Sequence, residues 1–216
     1  MNQNDTNSLI RRRPRQARSR ATEKRLLDAA DTIVEARGFE GLNIADLVRQ
    51  AEASVGSFYA RFGDKDGLLR ALYARRMALL FARLEALGNS GTLRAIDLAG
   101  GANLLVGEVV RHYRDHAQLV ATFHGRCAAQ PEAWREAIEL HLRLLRKLRD
   151  LLCQCGGHSD PNLIRRVDMG LHLVFAFLGE RALYGEVARD HLPFEDGELE
   201  RELSAVLINY VEGARQ

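Results

Sequence analysis

Apolar residues at alternating spacings of three and four recur along most of this chain, and that rhythm confines it to helices. Ile164, Val167, Leu171, Val174 and Leu178 form one such stripe. Leu199, Leu203, Val206 and Tyr210 form another, widened by Leu207 and Val211. β-Branched residues never build an alternating run, and only four prolines interrupt 216 residues. Ala, Leu, Arg and Glu dominate, and these are good helix formers. A hydrophobic share of 46% is ordinary for a folded protein and too high for a disordered one. The expected fold class is all-α.

The net charge of +2 hides an asymmetry. Residues 1–76 carry fifteen Lys/Arg against ten Asp/Glu, whereas residues 77–216 carry sixteen against nineteen. A basic front on an acidic body suggests that the front meets a polyanion. Three cysteines, Cys127, Cys153 and Cys155, are an odd number, so a disulfide framework is not expected and a reducing compartment fits. No apolar stretch follows the N-terminal arginines, so no signal peptide is expected. The longest strongly apolar run, Leu173 to Leu178, is far below the ~20 residues that span a bilayer. A soluble, cytoplasmic protein with no membrane partner is the expectation.

Residues 1–20 include six arginines between Arg11 and Arg20 and nothing able to build a core, which reads as a disordered basic arm. A first helix is expected from about Glu23 to Arg37, with Leu26, Ala30, Ile33 and Val34 on its buried stripe. Gly38 stops it where a left-handed residue is needed, and Phe39 folds back on Val34. Asn43 caps a short second helix, with Asp46 three residues on as in a capping box. Ser54 caps a third, from Val55 to Phe62; Gly63 breaks that helix, and Asp64 caps a fourth beginning at Lys65. Two short helices separated by Glu52, Ala53 and Ser54 have the dimensions of a helix-turn-helix, placed at about 44–63.

On the third helix, Phe58 and Phe62 lie one turn apart and anchor it inward. Gly56, Ser57 and Ala60 then face outward, flanked by Tyr59 and Arg61. Small residues at the middle of an exposed face permit close approach to a DNA groove, while hydroxyls and a guanidinium at its edges suit phosphates. An ordinary amphipathic bundle helix accounts for the two phenylalanines but not for exposing Gly, Ser and Tyr together.

The stretch LNIADLVRQAEASVGSFYARFGDKDGLL, from Leu42 to Leu69, resembles the DNA-binding domain of the TetR family of regulators. The signature is Ser54, Gly56, Ser57, Tyr59 and Phe62, then Lys65, with Leu68 and Leu69 behind. With the first helix included, the resemblance covers roughly residues 21–81. It implies that Asn43 contacts phosphate and that Val55, Gly56 and Tyr59 approach base edges or the neighbouring backbone. Ser57, Arg61 and Lys65 match phosphate contacts, Lys65 at a helix N-terminus that itself favours anions. With Ser54, these make the DNA-binding set. Glu52 and Ala53 depart from the family's usual turn residues, so the turn geometry is where a difference is expected. Ala60 and Arg61 also depart from the commonest choices, which leaves the operator sequence open.

The remainder, 82–216, carries no signature and is expected to be a regulatory and dimerisation domain. Helices are expected at Lys65 to about Leu87, onward to about His116 with a kink at Gly100-Gly101, and around Ala117–Gln130. Others are expected from Pro131 to about Gln154, from Asp160-Pro161, and at the end of the chain. The resemblance implies a homodimer in which the last two helices form a four-helix bundle across a two-fold axis; the alternative is that both stripes are monomer core. The seven histidines show no metalloprotease spacing, and no nucleophile elbow or phosphate loop occurs, so no catalysis, cofactor or metal is expected. Cys153 and Cys155 with His158 raise a metal or redox sensor against the plainer case of a fraying helix end. The expected effector is a small apolar or amphipathic molecule, with Phe123, Trp134, Met169, His172, Phe175 and Phe177 as candidate contacts. Two functions therefore stand: a ligand-responsive repressor that releases a palindromic DNA operator, or a DNA-binding protein whose body recruits another protein. A dry cavity of ~300–1,000 Å³ inside the subunit would favour the first. A filled core with a large exposed apolar patch would favour the second.

Overall fold

The computed structural model describes the backbone of residues 3–155, 160–195 and 197–213, with side-chain surroundings from residue 18 onward. The described residues form nine α-helices and no strand. These are α1 (Gln3–Arg37), α2 (Ile44–Gln50), α3 (Val55–Phe62), α4 (Lys65–Asn89), α5 (Leu98–Asp115), α6 (Ala117–Ala129), α7 (Arg135–Leu152), α8 (Pro161–His191) and α9 (Glu198–Glu212). Short 3₁₀ turns at Thr92–Ala95 and Pro131–Trp134 precede α5 and α7. The all-α expectation holds. None of the described helices is long and apolar enough to cross a membrane. The chain divides into two compact units, residues 1–72 and 73–216.

In the first unit, α1, α2 and α3 pack on one another around Leu26, Ala30, Phe39, Leu47, Phe58, Leu68 and Leu69, all buried. Gly38 ends α1 at φ 71, and its N–H donates to the Val34 carbonyl at 2.9 Å, which leaves Phe39 buried beneath. The arm differs from expectation: from Gln3 its backbone continues α1 as helix. Propagating an existing helix adds one hydrogen bond per residue fixed, so good helix formers such as Arg, Gln and Ala extend it without a core. The side chains before residue 18, most of the arm's arginines among them, lie outside the described residues.

In the second unit, α5 packs on α9, and α8 lies against α6, α7 and α9. Tyr73 and Phe123 stack with ring centroids 3.6 Å apart and planes 5° from parallel, and Trp134 meets Phe123 edge-on at 5.8 Å. Between Val106, Leu148, Leu171 and Phe175 no space remains for even a water molecule. The core is filled there.

Three local expectations change. Gly100 and Gly101 lie in the first turn of α5 and not at a kink, because the Asp97 carboxylate accepts from the Gly100 N–H at 2.8 Å and starts the helix there. α8 begins as expected at Pro161, capped by Asp160, but runs on to His191 through a break at Gly185 (φ 55, ψ −122) that only glycine adopts readily. The stripes on the last two helices also turn inward: Val167, Leu171, Val174, Leu178, Leu203 and Leu207 are buried within their own unit. The large apolar residues left exposed are Met169, Leu173, Leu183, Tyr184 and Val187 on α8, none of them in its stripe, and Val206 and Tyr210, two members of the α9 stripe. Periodicity alone cannot say which of two adjacent stripes is covered; here α6, α7 and α9 cover the α8 stripe, and α5 and α8 cover the buried residues of α9.

Candidate nucleic-acid interface and regulatory clefts

α2 and α3 are joined by four residues, and each helix begins on a side-chain cap. Asn43 Oδ1 accepts from the Ala45 N–H at 2.8 Å. Ser54 Oγ accepts from the Ser57 N–H at 3.1 Å and donates to the Ser57 hydroxyl at 3.0 Å. Asp46 does not close a capping box with Asn43; its carboxylate pairs with Arg49 one turn on. Asp64 starts α4 as expected, accepting from the Gly67 N–H at 2.6 Å.

α3 shows the division of faces that its sequence suggests. Phe58 is fully buried, edge-on to Tyr59 at 5.3 Å and tilted against Phe62 at 5.4 Å. Val55 is 47% exposed and Tyr59 51% exposed, with Gly56 and Ala60 open beside them. Asn43 and Ser54 are exposed and Ser57 is half-buried. Asn43, Ser54, Val55, Gly56, Ser57 and Tyr59 are thus all carried on α3 or on the caps of α2 and α3.

Arg61 and Lys65 are engaged differently. Arg61 donates to the Ser57 carbonyl at 2.9 Å and reaches α1, donating to the Ser19 carbonyl at 3.1 Å and hydroxyl at 3.2 Å. Its guanidinium ties α3 to α1. Lys65 donates to the Glu40 carbonyl at 3.1 Å, with its ammonium 5.2 Å from the Phe39 ring centre. An ammonium has three donors, so this bond leaves Lys65 able to meet a phosphate as well.

The unusual turn residue has a structural counterpart. Glu52 adopts φ 48, the one positive φ outside glycine among the described residues. Arg25 on α1 donates to the Ala51 carbonyl at 3.0 Å and to the Glu52 carbonyl at 3.4 Å, clamping the turn. No pattern in the sequence marks Arg25, whose partner lies twenty-six residues away. Replacing Glu52 by Gly is expected to relieve a left-handed strain of ~1–2 kcal/mol against a smaller loss to chain entropy. The net gain should be ~1 kcal/mol, raising the melting point of the first unit by several degrees. A lower melting point would show that the turn is unstrained.

The six candidate effector contacts do not converge. Phe123 and Trp134 belong to the filled core, Met169 is 52% exposed on the outer face of α8, and Phe177 pairs with Phe194 at 6.4 Å. His172 and Phe175 alone among the six share a cleft formed by the described residues, of about 480 Å³, together with His124 and His141. His141 contacts the Phe175 ring at 5.1 Å, and burial, followed by His124 and His172, pushes its pKa down to about 4. His124 Nε2 lies 3.3 Å from the Tyr113 hydroxyl, and burial lowers its pKa too. A second cleft, of about 200 Å³, opens between α5, α8 and the segment leading into α9.

Cys155 is fully buried, its sulfur close enough to α5 that a side chain at Gly101 would collide with it. Burial pushes the thiols of Cys127, Cys153 and Cys155 up, opposite to the shift a thiolate sensor needs. His158, the third member of that constellation, lies outside the described residues. Among the described residues no group of His, Cys, Asp or Glu is arranged to hold a metal ion.

Residues 26–72 match the family model described as bacterial regulatory proteins, tetR family. The chain is 34% identical over 70 residues to the HTH-type transcriptional repressor NemR of Escherichia coli, a match covering 32% of this chain and 35% of that protein. It therefore spans about a third of the length of the curated relatives it matches. Solved structures extend the likeness of fold. A protein from Mesorhizobium loti described as a TetR-family transcriptional regulator superimposes with a TM-score of 0.69 at 18% identity, over 91% of this chain and 98% of its own. FadR from Bacillus subtilis, in complex with stearoyl-CoA, gives 0.56 at 17% identity over 88% and 98%. FadR from Bacillus halodurans gives 0.60 at 17% identity over 89% and 100%. With the signature residues in place around α3 and the family model matching across them, residues 26–72 form a DNA-binding region of the type found in the tetR family of bacterial regulatory proteins, and the chain as a whole shares the fold of solved TetR-family regulators.

Proposed function

We propose that this protein is a homodimeric, ligand-responsive transcriptional repressor that leaves a palindromic DNA operator when a small molecule binds its helical body. The observation that carries the DNA-binding half is the outward face of α3, where Val55, Gly56, Tyr59 and Ala60 stand exposed on a helix anchored by buried Phe58. That face admits close approach to base edges. Asn43, Ser54, Ser57 and the free donors of Lys65 flank it for phosphates, and the arginines of residues 1–20 follow the duplex alongside. Arg61 acts by holding α3 against α1.

The exposed stripe of Met169, Leu173, Tyr184, Val187, Val206 and Tyr210 supports the dimer. A second copy is the natural cover, because reading two half-sites requires one and an obligate dimer buries ~2,000 Å² or more. Repression is supported by the likeness to NemR, and a small-molecule effector by the acyl-CoA bound to the FadR structure. The tight packing around Val106, Leu148, Leu171 and Phe175 supports an effector site in one of the clefts near the surface. It also favours a second reading, in which the body recruits another protein through the same stripe.

Selecting bound duplexes from a random pool tests the main reading. The enriched sites should be inverted repeats whose half-sites lie ~34–36 Å apart or a multiple of it. Each should hold two copies of the chain by sedimentation. Enrichment of nothing, or of single half-sites holding one copy, would sink it.

A further inference from the structure

We propose that the cleft between α5, the end of α8 and the start of α9 binds a compact carboxylic acid, its apolar part seated on Tyr113, Ala117, Leu178 and Phe194 and its carboxylate held at the mouth by Arg189 and Arg181. The assignment rests on the reading that this unit senses a small molecule, and it names the site and the chemical class.

The cleft measures about 200 Å³, below the ~300–1,000 Å³ of sites for drug-sized ligands, so its occupant is small. Tyr113 and Leu178 are buried and give it an apolar floor. Three arginines and two glutamates stand around that floor: Arg114, Arg181, Arg189, Glu195 and Glu200. Glu200 is committed to Arg114 at 3.6 Å, a pair that cancels in charge. Among the described lining residues, Glu195 is then the one acid set against two guanidiniums, which leaves these residues with a surplus positive charge.

The break in α8 creates this surplus. Gly185 lies between Arg181 and Arg189, and its non-helical backbone turns the end of α8 so that both arginines line one cleft. Arg181 is fixed there: it donates to the Leu192 carbonyl at 2.9 Å and lies 5.4 Å from the Phe194 ring centre. It spends one nitrogen on this and has no carboxylate partner among the described residues. Burial and the nearby Arg189 lower its pKa from the ordinary guanidinium value. Arg189 is exposed and likewise has no carboxylate partner among the described residues. A carboxylate bound between them supplies the missing counter-charge and accepts the unused donors, the pairing guanidinium geometry suits best.

Calorimetry on the full chain without DNA decides the matter, with hexanoate and benzoate as probes and hexanamide and benzamide as their neutral counterparts. At least one acid should bind about tenfold or more tightly than its amide, as expected for a charge-assisted contact. Arg189→Gln should erase that preference. Ala182→Phe, which fills the cleft and leaves the arginines in place, should remove acid binding altogether; should it fail to fold, Arg189→Gln decides alone. No acid binding at millimolar concentration, equal binding of acid and amide, or an acid preference that survives Arg189→Gln overturns the proposal, as does binding intact in a folded Ala182→Phe variant. No operator is present, so failure here is distinguishable from failure of the DNA-binding reading.

Discussion

Phe58→Ala is expected to unfold the DNA-binding unit at temperatures where the wild type is intact, at a cost of ~3–5 kcal/mol. Phe58 has no exposed surface and contacts two further rings, so truncation leaves a void that α1 and α2 cannot close without moving. That cost is a large share of the ~5–15 kcal/mol that keeps a typical domain folded. Its neighbour should behave in the opposite way. Tyr59 is half exposed, so Tyr59→Ala should leave the melting curve nearly unchanged while operator binding weakens by ~1–3 kcal/mol, the loss of one good contact. Circular dichroism melts and operator titrations on both variants check the pair. If Tyr59→Ala unfolds while Phe58→Ala melts like the wild type, the facing of α3 is inverted.

Acid should destabilise the second unit well before its carboxylates protonate. His112 on α5 is buried, and its Nδ1 has no hydrogen-bond partner among the described residues. Burial first, then His116, Arg83 and Arg76, push its pKa down to about 3. His141 is pushed down to about 4, chiefly by burial. In the unfolded chain both return to about 6.5. Below that pH the unfolded chain binds protons that the folded one refuses, so stability falls as the pH drops from 6.5 toward the folded values; above 6.5 it is constant. At pH 5 the loss from His112 alone is ~2 kcal/mol, and His141 adds to it in the same direction. Urea midpoints at pH 7.5 and pH 5 measure this, and His112→Leu should remove much of the difference. Identical midpoints in the wild type would refute it.

The parts of the fold that were legible are those governed by local chemistry. Gly38, Asn43, Ser54, Asp64 and Asp160-Pro161 mark helix ends because each satisfies backbone groups within a few residues. The facing of α3 was legible for a similar reason, since Phe58 and Phe62 repeat at the helical period. What escaped depends on distant neighbours. Arg25 clamps a turn that no spacing connects to it, and Arg61 resembles a phosphate contact until Ser19 is found beside it. The effector candidates failed to converge because an aromatic residue at helical spacing reads the same whether it fills a core, as Trp134 does, or lines a cleft, as Phe175 does. The two cleft-forming arginines carried no signal, since their convergence is made by one backbone break at Gly185.

Trp134 is the chain's single tryptophan, buried against Phe123 in the second unit. Its emission is therefore a one-site optical probe of that core, and it can register an event in residues 73–216 without any contribution from the helix-turn-helix. An unfolding transition seen in the amide ellipticity but absent from tryptophan emission belongs to residues 1–72, and one seen in both belongs to the body. The two units can thus be followed separately in the same sample without a label, with the sequence itself supplying the chromophore in only one of them.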